Sequence, residues 1–177
     1  MNTGIARSIH FTLRAAVAIA AVSTLGDLIW AGLGLPHRPV YGLIHGSLLF
    51  LCVGLFLGML AKKRATGAIA GAVIGFCAAG GFYLIAPVLG RSAMFLLWFG
   101  AWIALGFLNQ HLTRREIHVR TALSRGALAA AGSGAAFYLV SGIWFPFDPQ
   151  GWDYLLHFVA WTVAYLPGFG ALLVARR

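Results

Sequence analysis

The stretch VYGLIHGSLLFLCVGLFLGML, residues 40–60, contains no Asp, Glu, Lys or Arg, and AKKR follows it at once at 61–64. A helix needs roughly 20 apolar residues to cross the hydrocarbon core of a bilayer, and charge marks the end of such a run because it is costly in lipid. This segment therefore reads as one complete membrane span and its boundary. Working outward, five more apolar runs follow the same rule, at about 12–33, 66–88, 93–110, 126–146 and 154–174. The breaks are Leu35-Pro36-His37-Arg38-Pro39, Ala61-Lys62-Lys63-Arg64, Pro87-Val88-Leu89-Gly90-Arg91, the polar stretch from His111 to Arg125, and Phe145-Pro146-Phe147-Asp148-Pro149-Gln150-Gly151. Proline, glycine or charge punctuates each one. The third and fourth spans are separated only by a tight turn, so a five-helix arrangement with one long tilted helix there is the alternative.

Composition agrees. Of 177 residues 60% are hydrophobic and 10% charged, with a mean hydropathy of +0.86, whereas soluble domains carry roughly 25% charged residues. The reading is an all-α polytopic membrane bundle, a single domain over residues 1–177. Cys52 and Cys77 lie inside apolar stretches with no metal-like spacing and read as small buried hydrophobes.

Orientation follows from the cations. With the N-terminus inside, the inner segments hold Arg7, Arg14, Lys62, Lys63, Arg64, Arg114, Arg115, Arg120, Arg125, Arg176 and Arg177, and only Arg38 and Arg91 remain outside. Positively charged loops are retained in the cytoplasm, so both termini are expected there. Asp148 and Asp153 on the outer side sharpen the asymmetry. A net charge of +9, with the cations spread over two loops and the two terminal segments at one face, suits anionic lipid headgroups and not nucleic acid. A secretory signal at 7–33 is disfavoured, because the run is long and contains Asp27. Trp30, Tyr41, Trp144, Trp152 and Tyr154 fall near the outer boundary, as interfacial aromatics do. The excess of Arg over Lys and the abundance of Ala and Gly suit a bacterial inner membrane.

Small residues four apart, Gly67/Gly71/Gly75 and Gly126/Ala130/Gly134, let helices approach closely in lipid and offer faces for packing or for homo-oligomer formation. An offset of 59 lays Gly67-Ala68-Ile69-Ala70 on Gly126-Ala127-Leu128-Ala129, Pro87 on Pro146 and the 96–102 segment on 155–161, which suggests parallel helical-hairpin repeats.

Chemistry should be sought among polar groups within the spans. Asp27 in the first helix, His45 in the second and His157 in the sixth come to a similar depth, about 12–15 Å below the outer turns. Tyr138 in the fifth helix reaches that level, and Ser23 is one turn from Asp27. Four uses of this set stand side by side. The groups satisfy one another at helix contacts; or Asp27, His45, Tyr138 and His157 bind a lipid or small amphipathic molecule against walls of Trp98, Trp102 and Trp161, within a transporter or on their own. In the third, His45 and His157 ligate haem or, with Asp27, a metal; in the fourth, the set moves protons or ions. Near the inner face, Asn109, Gln110 and His111 precede a polar stretch ending at Arg120, which reads as a solvated loop with a short amphipathic helix on anionic lipid. No phosphate-binding Gly-rich loop, zinc-type cysteine cluster, G-x-S-x-G elbow or H-E-x-x-H pair occurs, so a hydrolytic enzyme is disfavoured. The expectation is a membrane protein that binds a lipid or small amphipathic molecule, with an accessory subunit of a membrane complex as the rival.

Overall fold

A computed structural model of the chain describes residues 3–34, 39–90, 92–113, 116–141 and 150–173. Among them are six helices and no strand: α1 (Thr3–Gly32), α2 (Pro39–Leu60), α3 (Arg64–Leu89), α4 (Ser92–Thr113), α5 (Val119–Ser141) and α6 (Asp153–Leu173). The α3–α4 junction settles the five-helix alternative. Pro87 is accommodated within the last turn of α3, and the break falls at Gly90, whose φ of 56° lies in the left-handed region that favours glycine. The Gly90 N–H closes α3 on Ala86 O at 2.8 Å, and α4 starts two residues later.

Five helices, all but α5, are long and apolar enough to cross a membrane. With 23 residues α5 is about 34 Å long, enough for a crossing. Its hydropathy is low because Arg120, Ser124 and Arg125 occupy its first turns and Gly, Ala and Ser fill much of the rest. Those small residues are functional in packing: Ala122, Ala129, Ala130 and Ser133 are buried between α4 and α6.

The helices form a closed ring in chain order, α6 returning to α1, with α4 also touching α2 and α6 across the middle. Consecutive helices run antiparallel. On α2 and α3, Gly46 lies beside Gly75 and Gly54 beside Gly67 and Gly71, so closely that a Cβ on any of Gly54, Gly67, Gly71 or Gly75 would overlap the facing backbone. The glycine stripe of α3 thus packs against α2 within the chain. The other small stripe is used likewise: Gly126 meets Ile103 and the carbonyl of Trp102 on α4, while Gly106 approaches Ala122 O and Gly126. The core runs down the inner faces of α4 and α6 through Trp102, Leu105, Tyr165, Phe169 and Leu172, with the Trp102 ring seated on the bare backbone of Gly168.

One end of the bundle gathers Lys62, Lys63, Arg64 and Arg120. The Lys63 ammonium donates to His111 O at 3.4 Å, tying the α2–α3 turn to the end of α4. Among the described residues between α4 and α5 the expected surface helix is not seen. Glu116–His118 are non-helical, and the His118 N–H donates to Gln110 Oε1 at 2.9 Å, so the buried Gln110 side chain satisfies the loop backbone instead. Asn109 is structural too, its Nδ2 donating to Leu172 O at 3.0 Å. Arg38, Arg91, Arg114, Arg115, Trp144, Pro146, Asp148, Arg176 and Arg177 lie outside the described residues, as do the side chains of Arg7 and Trp30.

Candidate functional site

Near the other end of the bundle, Asp27 sits five residues before the end of α1, His45 six residues into α2 and His157 four residues into α6. These offsets place the three groups about 6–9 Å from the ends of their helices, all at the same end of the bundle. The α1–α6 contact brings two of them into direct bonding. His157 Nδ1 lies 3.0 Å from Asp27 Oδ2, and Trp161 Nε1 donates to the same oxygen at 3.1 Å. His157 and Trp161 are four residues apart and so share a face of α6, which is why one carboxylate reaches both.

The histidine is buried and the Asp27 side chain is 26% exposed. A lipid-facing acid is costly, and two donors from a neighbouring helix offset that cost. The ring of Tyr154, one turn before His157, covers its other side at 6.3 Å between centroids. His45 approaches from α2: its imidazole packs against the backbone of Gly26, a contact that any Cβ at Gly26 would block, and it lies within electrostatic reach of Asp27.

One turn deeper, the same seam repeats the device with hydroxyls. Ser23 donates its proton to Ile19 O at 2.9 Å, so the 3.3 Å contact between Ser23 Oγ and Tyr165 Oη has the tyrosine as donor. Tyr165 continues a stripe on α6, namely His157, Trp161, Tyr165 and Phe169, each four residues from the next. That four-residue spacing is the signal the sequence carries for Tyr165.

Trp98, Trp102 and Trp161 belong to one aromatic cluster. Trp98 lies 5.9 Å from Trp102, 6.4 Å from Trp161 and 5.9 Å from Tyr165 between ring centroids, and Phe137 of α5 stacks on Trp161 at 4.9 Å. Tyr138 does not join them. It is 57% exposed and meets only the outer rim of the cluster through Phe95. Its neighbour Phe137 takes the inward position, because one residue along a helix turns the side chain by roughly 100°.

Two cavities flank Trp98. A groove of about 220 Å³ opens between α2, α3 and α4, with His45 at its polar edge and Gly42, Phe50, Phe82, Tyr83 and Leu97 among its walls. A smaller space of about 30 Å³, enough for one water-sized body, lies on the far side between Met94, Phe95, Phe137 and Trp161. The indole N–H groups of Trp98 and Trp102 are buried without a hydrogen-bond partner among the described residues. Among the described residues no three His, Cys, Asp or Glu side chains are grouped to hold a metal ion. Compared with known proteins, the chain matches no family model, no curated protein and no solved structure.

Proposed function

We propose that this multi-pass membrane protein binds an amphipathic small molecule or lipid, inserting one apolar chain or ring into the α2–α3–α4 groove with the polar group beside His45 and Asp27. The observation that carries this reading is the groove itself, whose walls are largely glycine, alanine, apolar side chains and aromatic rings and whose polar members are Tyr83 and the His45 imidazole, the latter within electrostatic reach of a carboxylate. Its volume of about 220 Å³ falls below the 300–1,000 Å³ or so of sites that enclose a drug-sized ligand, which suits partial enclosure of a chain rather than a whole molecule.

The test uses Trp98 as the reporter. A brominated fatty acid should quench a saturable part of the tryptophan emission, Trp98→Phe should remove that part, and Ala78→Phe, which fills the groove, should weaken it. Quenching that never saturates and is indifferent to Ala78→Phe would overturn the reading.

A second reading, an accessory subunit with no ligand, draws on the fact that Asp27 already accepts two hydrogen bonds within the chain. Purification of a stoichiometric larger complex, with no saturable quenching, would favour it.

The proposed setting is a bacterial inner membrane with both termini cytoplasmic, which rests on the eleven-to-two distribution of Lys and Arg. Reporter fusions after Lys63, Arg115 and Arg177 should score cytoplasmic, and those at Arg38, Gly90 and Gln150 external. The Gln150 fusion is the sharpest, because it asks whether the weakly apolar α5 crosses.

A further inference from the structure

At the basic end of the bundle, a cavity of about 480 Å³ lies between α1, α2 and α6, more than twice the volume of the groove at the other end. Its walls are Phe11, Phe56, Met59 and Leu173, with Ser8 and Lys62 as the polar members. Phe56 and the α6 residue Phe169 hold its floor, ring to ring at 6.1 Å.

Lys62 stands at an unusual backbone position. The end of α2 is a Schellman turn: Lys63 N–H bonds to Gly58 O at 2.8 Å and Lys62 N–H to Met59 O at 3.3 Å. The residue after the cap in this turn adopts a left-handed conformation and is usually glycine. Here it is Lys62, with φ of 58°, and among the described residues no other non-glycine has a positive φ. A long cationic side chain is thus kept where the backbone favours none, and it lines the mouth of an apolar cavity.

We propose that this cavity is a binding site for an anionic phospholipid, taking part of an acyl chain between Phe11, Phe56 and Met59 and its phosphate at Lys62. Charge complementarity selects the occupant: Lys62 is the cationic member of the cavity lining, and a phosphate on a chain long enough to fill the cavity matches both its apolar walls and this cationic edge. The site is separate from the groove of the proposed function and stands or falls independently of it.

Thermal unfolding of the full-length protein in a neutral detergent, titrated with phosphatidylglycerol or phosphatidylcholine, tests the assignment. The wild type should gain stability saturably with phosphatidylglycerol and little with phosphatidylcholine. Lys62→Gly relieves the backbone, so it should fold at least as well in detergent alone, yet bind phosphatidylglycerol about fivefold more weakly, the worth of one lysine at an anionic surface. Lys62→Gln, which keeps the length without the charge, should lose the same affinity. Lys63→Gln, beside it but engaged with His111 O, should keep it. Full phosphatidylglycerol response in Lys62→Gly, an equal loss in Lys63→Gln, or the same stabilisation by glycerol phosphate without chains would each overturn the proposal.

Discussion

The α2–α3 and α1–α6 seams solve the same problem by opposite means. In lipid no hydrophobic drive pulls helices together, so packing and interhelical hydrogen bonds must hold them. Between α2 and α3 the side chains are withdrawn altogether, and glycine faces glycine along the contact. Between α1 and α6 polar side chains are inserted: Asp27 against His157 and Trp161, then Ser23 against Tyr165. The first seam tolerates almost no added atom, while the second depends on groups that also lie near the groove edge at His45. Where a bundle needs only adhesion, bare backbone suffices; the polar seam brings a carboxylate inside the span of α1, and that is the seam next to the candidate site.

The largest effect should come from the glycine seam. A Cβ at Gly71 would overlap Phe50 O and the Gly54 backbone, which cannot swing aside as a side chain can. Gly71→Leu should therefore cost at or above the upper end of the about 1–3 kcal/mol typical of overpacking, read as a loss of folded protein in detergent or a collapse of the unfolding midpoint. A well-folded Gly71→Leu protein would mean that α2 and α3 are not locked by close backbone approach.

On the polar seam the effects should be smaller and coupled. His157→Ala leaves the Asp27 carboxylate with Trp161 as its bonding partner on α6, and should destabilise the unliganded protein by about 1–3 kcal/mol. Asp27→Asn should fall in the same range. Because each removes the same contact, the double variant should cost less than the sum, with an interaction energy of about 0.5–3 kcal/mol. Additive losses would separate the two residues. Unchanged unliganded stability in both variants, with loss of the saturable quenching, would instead assign Asp27 and His157 to ligand contact alone.

The contrast between the seams also marks how far the sequence could be read. Apolar runs and charged breaks located the six helices to within a few residues over most of the chain, because burial in lipid imposes a simple length rule on each span separately. Depth was legible for the same reason, in that Asp27, His45 and His157 lie at a similar level at one end of the bundle. Azimuth was not. Depth alone placed Tyr138 in the site, whereas its neighbour Phe137 occupies the inward face. Nor did any run of residues announce that α6 closes the ring on α1, or that the glycines of α3 would be met by Gly46 and Gly54 of α2. Those facts depend on pairs of helices, and a single span carries only half of each pair.

The smallest expected effect is also the most discriminating, since it depends on which hydroxyl holds the proton. Ser23 gives its hydrogen to Ile19 O, so Tyr165 must supply the proton in their 3.3 Å contact. Tyr165→Phe removes that donor and leaves Ser23 still bonded to its own helix. The cost should be close to the roughly 0.6 kcal/mol averaged by hydrogen bonds between membrane helices. Ser23→Ala removes the acceptor and leaves the Tyr165 hydroxyl, on a residue 1% exposed, without that partner. A buried hydroxyl stripped of its partner costs about 1–3 kcal/mol, so Ser23→Ala should lower the unfolding midpoint more than Tyr165→Phe does. The reverse order, with Tyr165→Phe the more damaging, would show that the tyrosine proton is held by something other than Ser23. In this seam the nearest candidates are the carboxylate of Asp27 one turn above, which lies within electrostatic reach of Tyr165, and a molecule bound beside it.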